Sequence, residues 1–319
     1  MDRTAQLDQL TSALGISLVD QLEIALSAKD IAILQDFLCW KRTRFLSQGY
    51  SEKDVTDLFE TIRSTFSDGM DHTSGKEVIQ FIDDAIRYLD CEKQLPGKTD
   101  DTLSELSANY RTFLLNGDRQ QASTLILESA TAGIPVRSIY LHVFQNSLYE
   151  IGRLWQTNQI TIAQEHFFTA ATQMIMSQLY PYIFANEKNG LRMIAASVDS
   201  NMHDIGIRMV ADFFEMDGWD TYYLGGNAPL QAILQALQGS NPHLLALSAT
   251  ISKQIPIIEQ VIQAIRENDQ LNQVKVIVGG PPFNLSDGLW RKVGSDGFAR
   301  SADEAVTIAN RLFGLDGHN

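Results

Sequence analysis

Apolar and polar residues alternate through the first part of the chain with the three- and four-residue spacing of amphipathic helices. Four such stretches fall within residues 1–95, and they read DQLTSALGISLVDQLEIALSA, DIAILQDFLCWKRTRFLSQ, SEKDVTDLFETIRSTFSDGM and GKEVIQFIDDAIRYLD. Ser51 stands three positions before Asp54 at the start of the third stretch, close to the capping-box pattern that opens helices. The polar segment CEKQLPGKTDDT follows, so we predict an all-helical domain over residues 1–95 and then a linker.

The helical spacing continues from Leu103 to Phe184, where Gly133, Pro135 and Pro181 punctuate the apolar stretches. Proline favours the first turn of a helix and glycine the position after its end, so these residues mark helix boundaries. We predict four packed helices that form a bundle domain over residues 100–187.

From Leu191 the pattern changes to short apolar runs separated by helical segments, and these runs are RMIAASV, DTYYLG, LLALSAT, KVIVGG and GFAR. Strands that alternate with helices form parallel sheets, which bind ligands beyond the carboxyl ends of their strands. We therefore predict an α/β fold: a Rossmann-like (flavodoxin-like) parallel sheet over residues 190–319, C-terminal to the bundle and the N-terminal helices.

Charge and composition narrow the classes of function. The chain has 39 acidic and 25 basic residues, a net charge of −14, and no basic cluster longer than WKRTR at residues 40–44. Phosphate contacts dominate nucleic-acid affinity, so we expect no direct nucleic-acid partner. No apolar run approaches the roughly 20 residues that span a bilayer, so we expect no membrane segment. Cys39 and Cys91 form neither a metal-ligand spacing nor a disulfide framework, which favours a cytoplasmic protein.

Small and polar residues stand at the predicted carboxyl ends of three strands: Asn201, His203, Asp204 and Gly206 after the first, Ser248 and Thr250 at the third, Gly279 and Gly280 at the fourth. Taken singly, these are ordinary features: a loop histidine, a hydroxyl that caps a helix, a glycine turn. Their spacing is more specific, because 41 residues separate Gly206 from Ser248 and 28 separate Thr250 from Gly279.

This combination resembles the cobalamin-binding domain of methionine synthase, the mutases and light-sensing regulators, whose motifs are D-x-H-x-x-G, S-x-T/L and G-G. The resemblance covers about residues 191–313 and implies that His203 replaces the corrinoid's own dimethylbenzimidazole as the lower ligand to cobalt. It further implies that Ser248 and Thr250 hydrogen-bond the displaced nucleotide tail, while Gly279 and Gly280 let the tail pass close to the backbone. A neutral imidazole suits a borderline transition metal.

The histidine motif departs from the family pattern at one position. The usual acidic residue two positions before the histidine is Asn201 here. A carboxylate at that place would orient the imidazole and raise its basicity, whereas an amide carries no charge. Asp199 and Asp204 are alternative partners for the ring, and ligation by His203 remains the prediction.

A second resemblance concerns the helical bundle. Trp155 is followed after nine residues by Glu165 and His166, with Ile162 between them, as in the W-x9-E-H signature of the cap domain in adenosylcobalamin photoreceptors. In those relatives the corresponding residues shape the space above cobalt and contact the adenosyl group. Taken without the cobalamin motifs, Trp155 is a core aromatic and the Glu-His pair a solvated helix face. Gln156 replaces the histidine that follows the tryptophan in some photoreceptors.

Together the resemblances favour a photoreceptor or signalling protein rather than an enzyme, with no catalytic residue, in which light cleaves the cobalt–carbon bond of adenosylcobalamin and the helices rearrange. The enzymatic alternative is a corrinoid protein that carries a methyl group between partner methyltransferases. A third is a cobalamin or haem sensor without a light response. We expect a second copy of the chain or a downstream protein as partner.

The N-terminal helices raise the question of a second chromophore. The stretch FLCWKRTRFL at residues 37–46 mixes aromatic and basic residues, which a propionate-bearing tetrapyrrole such as biliverdin would need. Photocobilins offer a similar layout, with a cobalamin module beside a helical bilin domain. An ordinary amphipathic helix explains the stretch equally well.

Overall fold

The N-terminal part of the chain is helical. The structure is a computed structural model that describes residues 18–69, 74–87, 103–184, 186–286 and 288–315. Residues 18–28 are helical, and three helices follow: α1 (Ile31–Ser47), α2 (Glu52–Gly69) and α3 (Ser74–Arg87). Ser51 and Asp54 hydrogen-bond each other's backbone amides at the head of α2, which confirms the capping pattern. The predicted linker, residues 91–102, lies outside the described residues.

Two observations bear on the predicted chemistry of this unit. The aromatic and basic stretch lies within α1, where Leu38 and Phe45 are buried in the core of this unit. Cys39 is also buried and takes part in a disulfide, which contradicts the expectation that the cysteines form none; Cys91 lies outside the described residues.

The second helical block contains the four predicted long helices. They are α4 (Ser104–Leu115), α5 (Arg119–Thr131), α6 and α7 (Ile162–Gln178), followed by the single turn α8 (Tyr180–Ile183). α6 runs through Val136–Ser138, a π-helical stretch Ile139–Gln145 and Asn146–Gln156. Regular apolar spacing did not predict the π-helical stretch.

The third block is a five-stranded, all-parallel sheet in the order β2-β1-β3-β4-β5, which confirms the predicted fold class. Its strands are β1 (Arg192–Val198), β2 (Asp220–Ala228), β3 (Leu244–Ser248), β4 (Lys275–Gly279) and β5 (Gly297–Ala299). The helices between and after them are α9 (Ile205–Glu215), α10 (Leu230–Ser240), α11 (Ile255–Arg266), α12 (Pro281–Leu285), α13 (Leu289–Lys292) and α14 (Ala302–Leu312).

The two faces of the sheet belong to different cores. Alternate residues of each strand point to opposite faces, so Ile194 and Leu247 join a core that includes the N-terminal helices, α10 and α11. Met193 and Ala246 join the core formed with the bundle, α9 and α14. The sheet is therefore covered on both sides, and the carboxyl ends of its strands lie where the N-terminal helices and the bundle meet it. Among the described residues no helix has the length and apolarity to cross a membrane.

Candidate functional site

His203 lies in the loop between β1 and α9, and its backbone is fixed on both sides. Its amide donates to Asn201 Oδ1 at 3.1 Å, and its carbonyl accepts from Ser197 Oγ at 3.0 Å. The residue itself is exposed, and within the described parts of the chain its ring makes no hydrogen bond. A rigid loop therefore presents an imidazole that is free to bind a ligand.

Asn201 acts on the backbone rather than on the imidazole. It is fully buried, and its Nδ2 donates to the Ser248 carbonyl at 3.2 Å. Its two bonds join the β1 loop to the end of β3. The suggestion that Asp199 holds the ring is not borne out either, because the Asp199 carboxylate accepts from the Ser200 amide at 2.9 Å.

Asp204 connects the histidine loop to the bundle. Gln173 of α7 donates to its Oδ1 at 2.8 Å, and Tyr223 of β2 donates to its Oδ2 at 2.9 Å. Burial raises the pKa of the Tyr223 hydroxyl, and the nearby Asp204 charge raises it further. The carboxylate is thus engaged across the domain boundary and makes no hydrogen bond to the imidazole. Sequence reasoning missed Gln173 and Tyr223, since neither stands in a local motif.

The ends of β3 and β4 lie side by side, with Ser248 in register with Gly279. Gly280 has φ of +102°, and a Cβ there would lie 1.9 Å from the Ala249 carbonyl oxygen. At Gly279 a Cβ would lie 3.0 Å from the Ala299 carbonyl oxygen. The structure brings the predicted glycines together, but it gives a different reason for Gly280: the chain's own backbone already excludes a side chain, whatever ligand passes nearby.

Gln254 ties the β3 loop to the β1 loop. Its buried side chain accepts from the Thr250 amide at 2.7 Å and from the Ile251 amide at 3.1 Å. Its Nε2 donates to the Ser200 carbonyl at 3.0 Å. Sequence reasoning also missed this residue, although its place three positions after Ile251, just before a proline-containing helix start, is a capping-box spacing.

The predicted residues of the bundle gather at one of its ends. Trp155 stands at the end of α6, and Ile162 begins α7. His166 Nδ1 lies 2.6 Å from Glu165 Oε2, so the two side chains form the predicted pair. The Trp155 ring packs on Trp40 of α1, with ring centroids 6.3 Å apart. Gly206, in the first turn of α9, has open space where a Cβ would stand.

The donor set fits a metal that arrives inside a macrocycle. No group of three or more His, Cys, Asp or Glu side chains in the described chain could hold a bare metal ion, so a metal at His203 must bring its other ligands with it. Large apolar side chains stand open in this loop and in the loop after β3, with 76% of Met202 and 42% of Ile251 exposed. A broad, partly apolar ligand such as a corrinoid would cover such surfaces.

Comparison with known proteins identifies the same two regions. Family models described as B12 binding domain match residues 191–308 and residues 107–180. Dimethylamine corrinoid protein 3 of Methanosarcina mazei is 29% identical over 138 residues, which cover 43% of this chain and 80% of that protein. A corrinoid protein of Desulfitobacterium hafniense is 24% identical over 218 residues, or 66% and 99% of the two chains. The structure of Methanosarcina barkeri monomethylamine corrinoid protein superposes with a TM-score of 0.59 at 22% identity, covering 66% of this chain and all of that one.

These findings correct the predicted function. The relatives are corrinoid proteins, several of them named for dimethylamine, so the prediction of a light-driven signalling protein is wrong. The likeness of Trp155, Glu165 and His166 to a photoreceptor cap and the photocobilin layout find no support, and neither does biliverdin. The cobalamin resemblance is confirmed. Two regions of the chain match models of B12 binding domains, and the chain is similar to corrinoid proteins.

Proposed function

We propose that this protein is a corrinoid methyl carrier, which holds a cobalamin-type cofactor through His203 and exchanges methyl groups with partner methyltransferases. The observation that carries the proposal is the exposed imidazole of His203, without a hydrogen-bond partner among the described residues and set on a loop whose backbone is fixed by Ser197 and Asn201. The relatives named as dimethylamine corrinoid proteins support it. When bound, the corrinoid supplies the cobalt that accepts and releases the methyl group.

The protein's contribution is to hold the lower ligand in place. A neutral imidazole nitrogen is a good ligand for such a metal. Because the buried partner of this loop is an amide and no carboxylate bonds the ring, the imidazole receives no charge assistance. We infer that His203 would hold cobalt more weakly than a histidine whose ring is hydrogen-bonded to an acid.

The small size of the transferred methyl group leads to a prediction about which cobalamin the protein prefers. A methyl carrier must accept a methyl group, which is far smaller than an adenosyl group. We therefore expect methylcobalamin to bind at least as tightly as adenosylcobalamin. This preference separates a methyl carrier from a protein built around the adenosyl group.

The test is reconstitution with hydroxocobalamin and methylcobalamin, followed by absorption spectra of the wild type, His203→Ala and the control His142→Ala. We expect a histidine-ligated spectrum for the wild type and the control. His203→Ala should give a water-ligated, base-off spectrum and bind much more weakly. A His203→Ala variant with the wild-type spectrum and affinity would refute the assignment, and a strong preference for adenosylcobalamin would count against methyl carriage.

A further inference from the structure

Helix α1 of the N-terminal unit hydrogen-bonds to the carboxyl end of α6. Arg44 Nη1 donates to the carbonyls of Trp155 at 2.9 Å and Gln156 at 3.2 Å, and Ser47 Oγ donates to the Gln156 carbonyl at 3.0 Å. The last carbonyls of a helix lack intrahelical partners and carry partial negative charge. α6 therefore has its carboxyl end completed by residues more than a hundred positions earlier in the chain.

The contact between α1 and α6 also holds the Trp155 ring in place. The Arg44 guanidinium lies 5.2 Å from the centroid of the Trp155 ring, and Trp40 packs against that ring at an interplanar angle of 42°. Trp40 remains 39% exposed. An aromatic side chain held in place by a neighbour and still partly open offers an apolar surface at little entropic cost.

A chain of contacts connects α1 to the histidine loop through two routes, one by way of the bundle and one by way of the strand ends. α7 reaches the loop through Gln173 and Asp204, and the loop joins β3 through Asn201. The β3 end touches the β4 end at Gly280, and α12, which begins at the next residue, packs on α1. α1 in turn packs on α6, and α6 on α7.

We propose that the N-terminal unit supplies a wall of the corrinoid site: Trp40 contacts the cofactor, and Arg44 is a positioning residue that holds Trp155. The inference rests on the proposed function, and it concerns a part of the chain before residue 107, where neither B12-binding match reaches. Its chemical basis is that a corrinoid is a broad macrocycle whose apolar surface needs cover. The partly exposed aromatic ring of Trp40 offers such a surface.

The experiment compares Trp40→Ala and Arg44→Ala with Arg42→Ala in the full-length protein. Arg42 lies on the same helix but pairs with the exposed Glu52, away from Trp155, and so controls for loss of an arginine on α1. Hydroxocobalamin is titrated, and the absorption spectrum is followed. We expect Trp40→Ala to weaken binding roughly tenfold, the upper range for one aromatic contact, and Arg42→Ala to match the wild type.

A double-mutant cycle tests the positioning role. If Arg44 acts through Trp155, Arg44→Ala should weaken binding in the wild type but add little in a Trp155→Ala background. Arg44→Lys keeps the positive charge at the helix end and loses the planar guanidinium. Its affinity for hydroxocobalamin should therefore lie between that of the wild type and that of Arg44→Ala. Circular dichroism melts of the variants without cofactor separate these effects from unfolding of the N-terminal helices.

Three results would overturn the inference. Trp40→Ala that binds hydroxocobalamin like Arg42→Ala would remove Trp40 from the site, and tighter binding would mean that α1 obstructs the cofactor instead of covering it. Additive effects of Arg44→Ala and Trp155→Ala would remove the positioning role. Failure of the proposed function looks different: the wild type would not bind, or its spectrum would not depend on His203.

Discussion

Replacing Asp212 by asparagine should abolish one component of the pH dependence of folding. Asp212 lies on α9 with 6% of its surface exposed and accepts a hydrogen bond from Tyr140 of the π-helical stretch at 2.8 Å. This bond joins the bundle to the helix that begins behind His203. Burial raises the pKa of the Asp212 carboxyl from 3.8 to about 6, and the bond from Tyr140 and the charge of Arg208 oppose the rise only in part.

The magnitude follows from the difference between the folded and unfolded states. A rise from 3.8 to about 6 is about two pKa units, which corresponds to roughly 3 kcal/mol of differential stability. Because the folded pKa lies above the unfolded value, the folded state holds this proton more tightly. The stabilisation is therefore complete below about pH 4 and is lost as the pH rises through about 6.

Urea unfolding followed by circular dichroism at pH 4.5, 5.5, 6.5 and 7.5 measures this component. The wild type should lose roughly 2 kcal/mol between pH 4.5 and pH 7.5, because about 1 kcal/mol of the total is already lost at pH 4.5. Asp212→Asn keeps an acceptor for the Tyr140 hydroxyl but cannot ionise, so its profile should be flatter by that amount. Asp220→Asn, which removes an exposed carboxylate paired with Arg192, is the matched control. An Asp212→Asn profile parallel to that of the wild type would refute the reasoning.

Two further predictions concern the strand ends. Gly280→Ala should unfold the carboxyl ends of the strands or prevent soluble expression, because its Cβ would lie 1.9 Å from the Ala249 carbonyl oxygen. Gly279→Ala should lower the stability by only about 1 kcal/mol in thermal melts, because its Cβ would lie 3.0 Å from the Ala299 carbonyl oxygen. Equal losses of stability in the two variants would contradict this prediction. Asn201→Asp should destabilise the protein by about 1–3 kcal/mol at pH 7 and by less at pH 4, because a buried carboxylate would replace the donor to the Ser248 carbonyl. If Asn201→Asp were as stable as the wild type at pH 7, the loop after β1 would have to rearrange in the variant.

The parts of the fold that local sequence determines were predictable. The apolar run RMIAASV coincides with β1, and the capping pair Ser51–Asp54 heads α2 as expected. The histidine loop, Ser248 and the glycine pair lie together at the carboxyl ends of the strands, because a parallel sheet brings those ends to one edge. Each of these predictions needs only residues near one another in the chain, or the topology of the sheet.

The contacts that shape the site were not predictable in the same way. Arg44 and Trp155 are 111 positions apart, and Gln173 and Asp204 belong to different structural blocks. No local spacing marks such pairs, because they are determined by the way the blocks pack. The error about function has a similar origin: the spacing of Trp155, Glu165 and His166 describes one end of a helix pair and does not determine what that end binds.

The side chains that fix the loops around His203 are mostly amides. Asn201 and Gln254 each use a carbonyl oxygen and an NH₂ group to join two backbone segments, and Gln173 donates to Asp204. An amide both donates and accepts, whereas a carboxylate at neutral pH only accepts. Amides can therefore hold two loops at once without placing a charge beside the imidazole. The backbone position of His203 is thus well determined, while no carboxylate of the described residues hydrogen-bonds its ring, and under the proposed function this arrangement presents the imidazole without a charged partner.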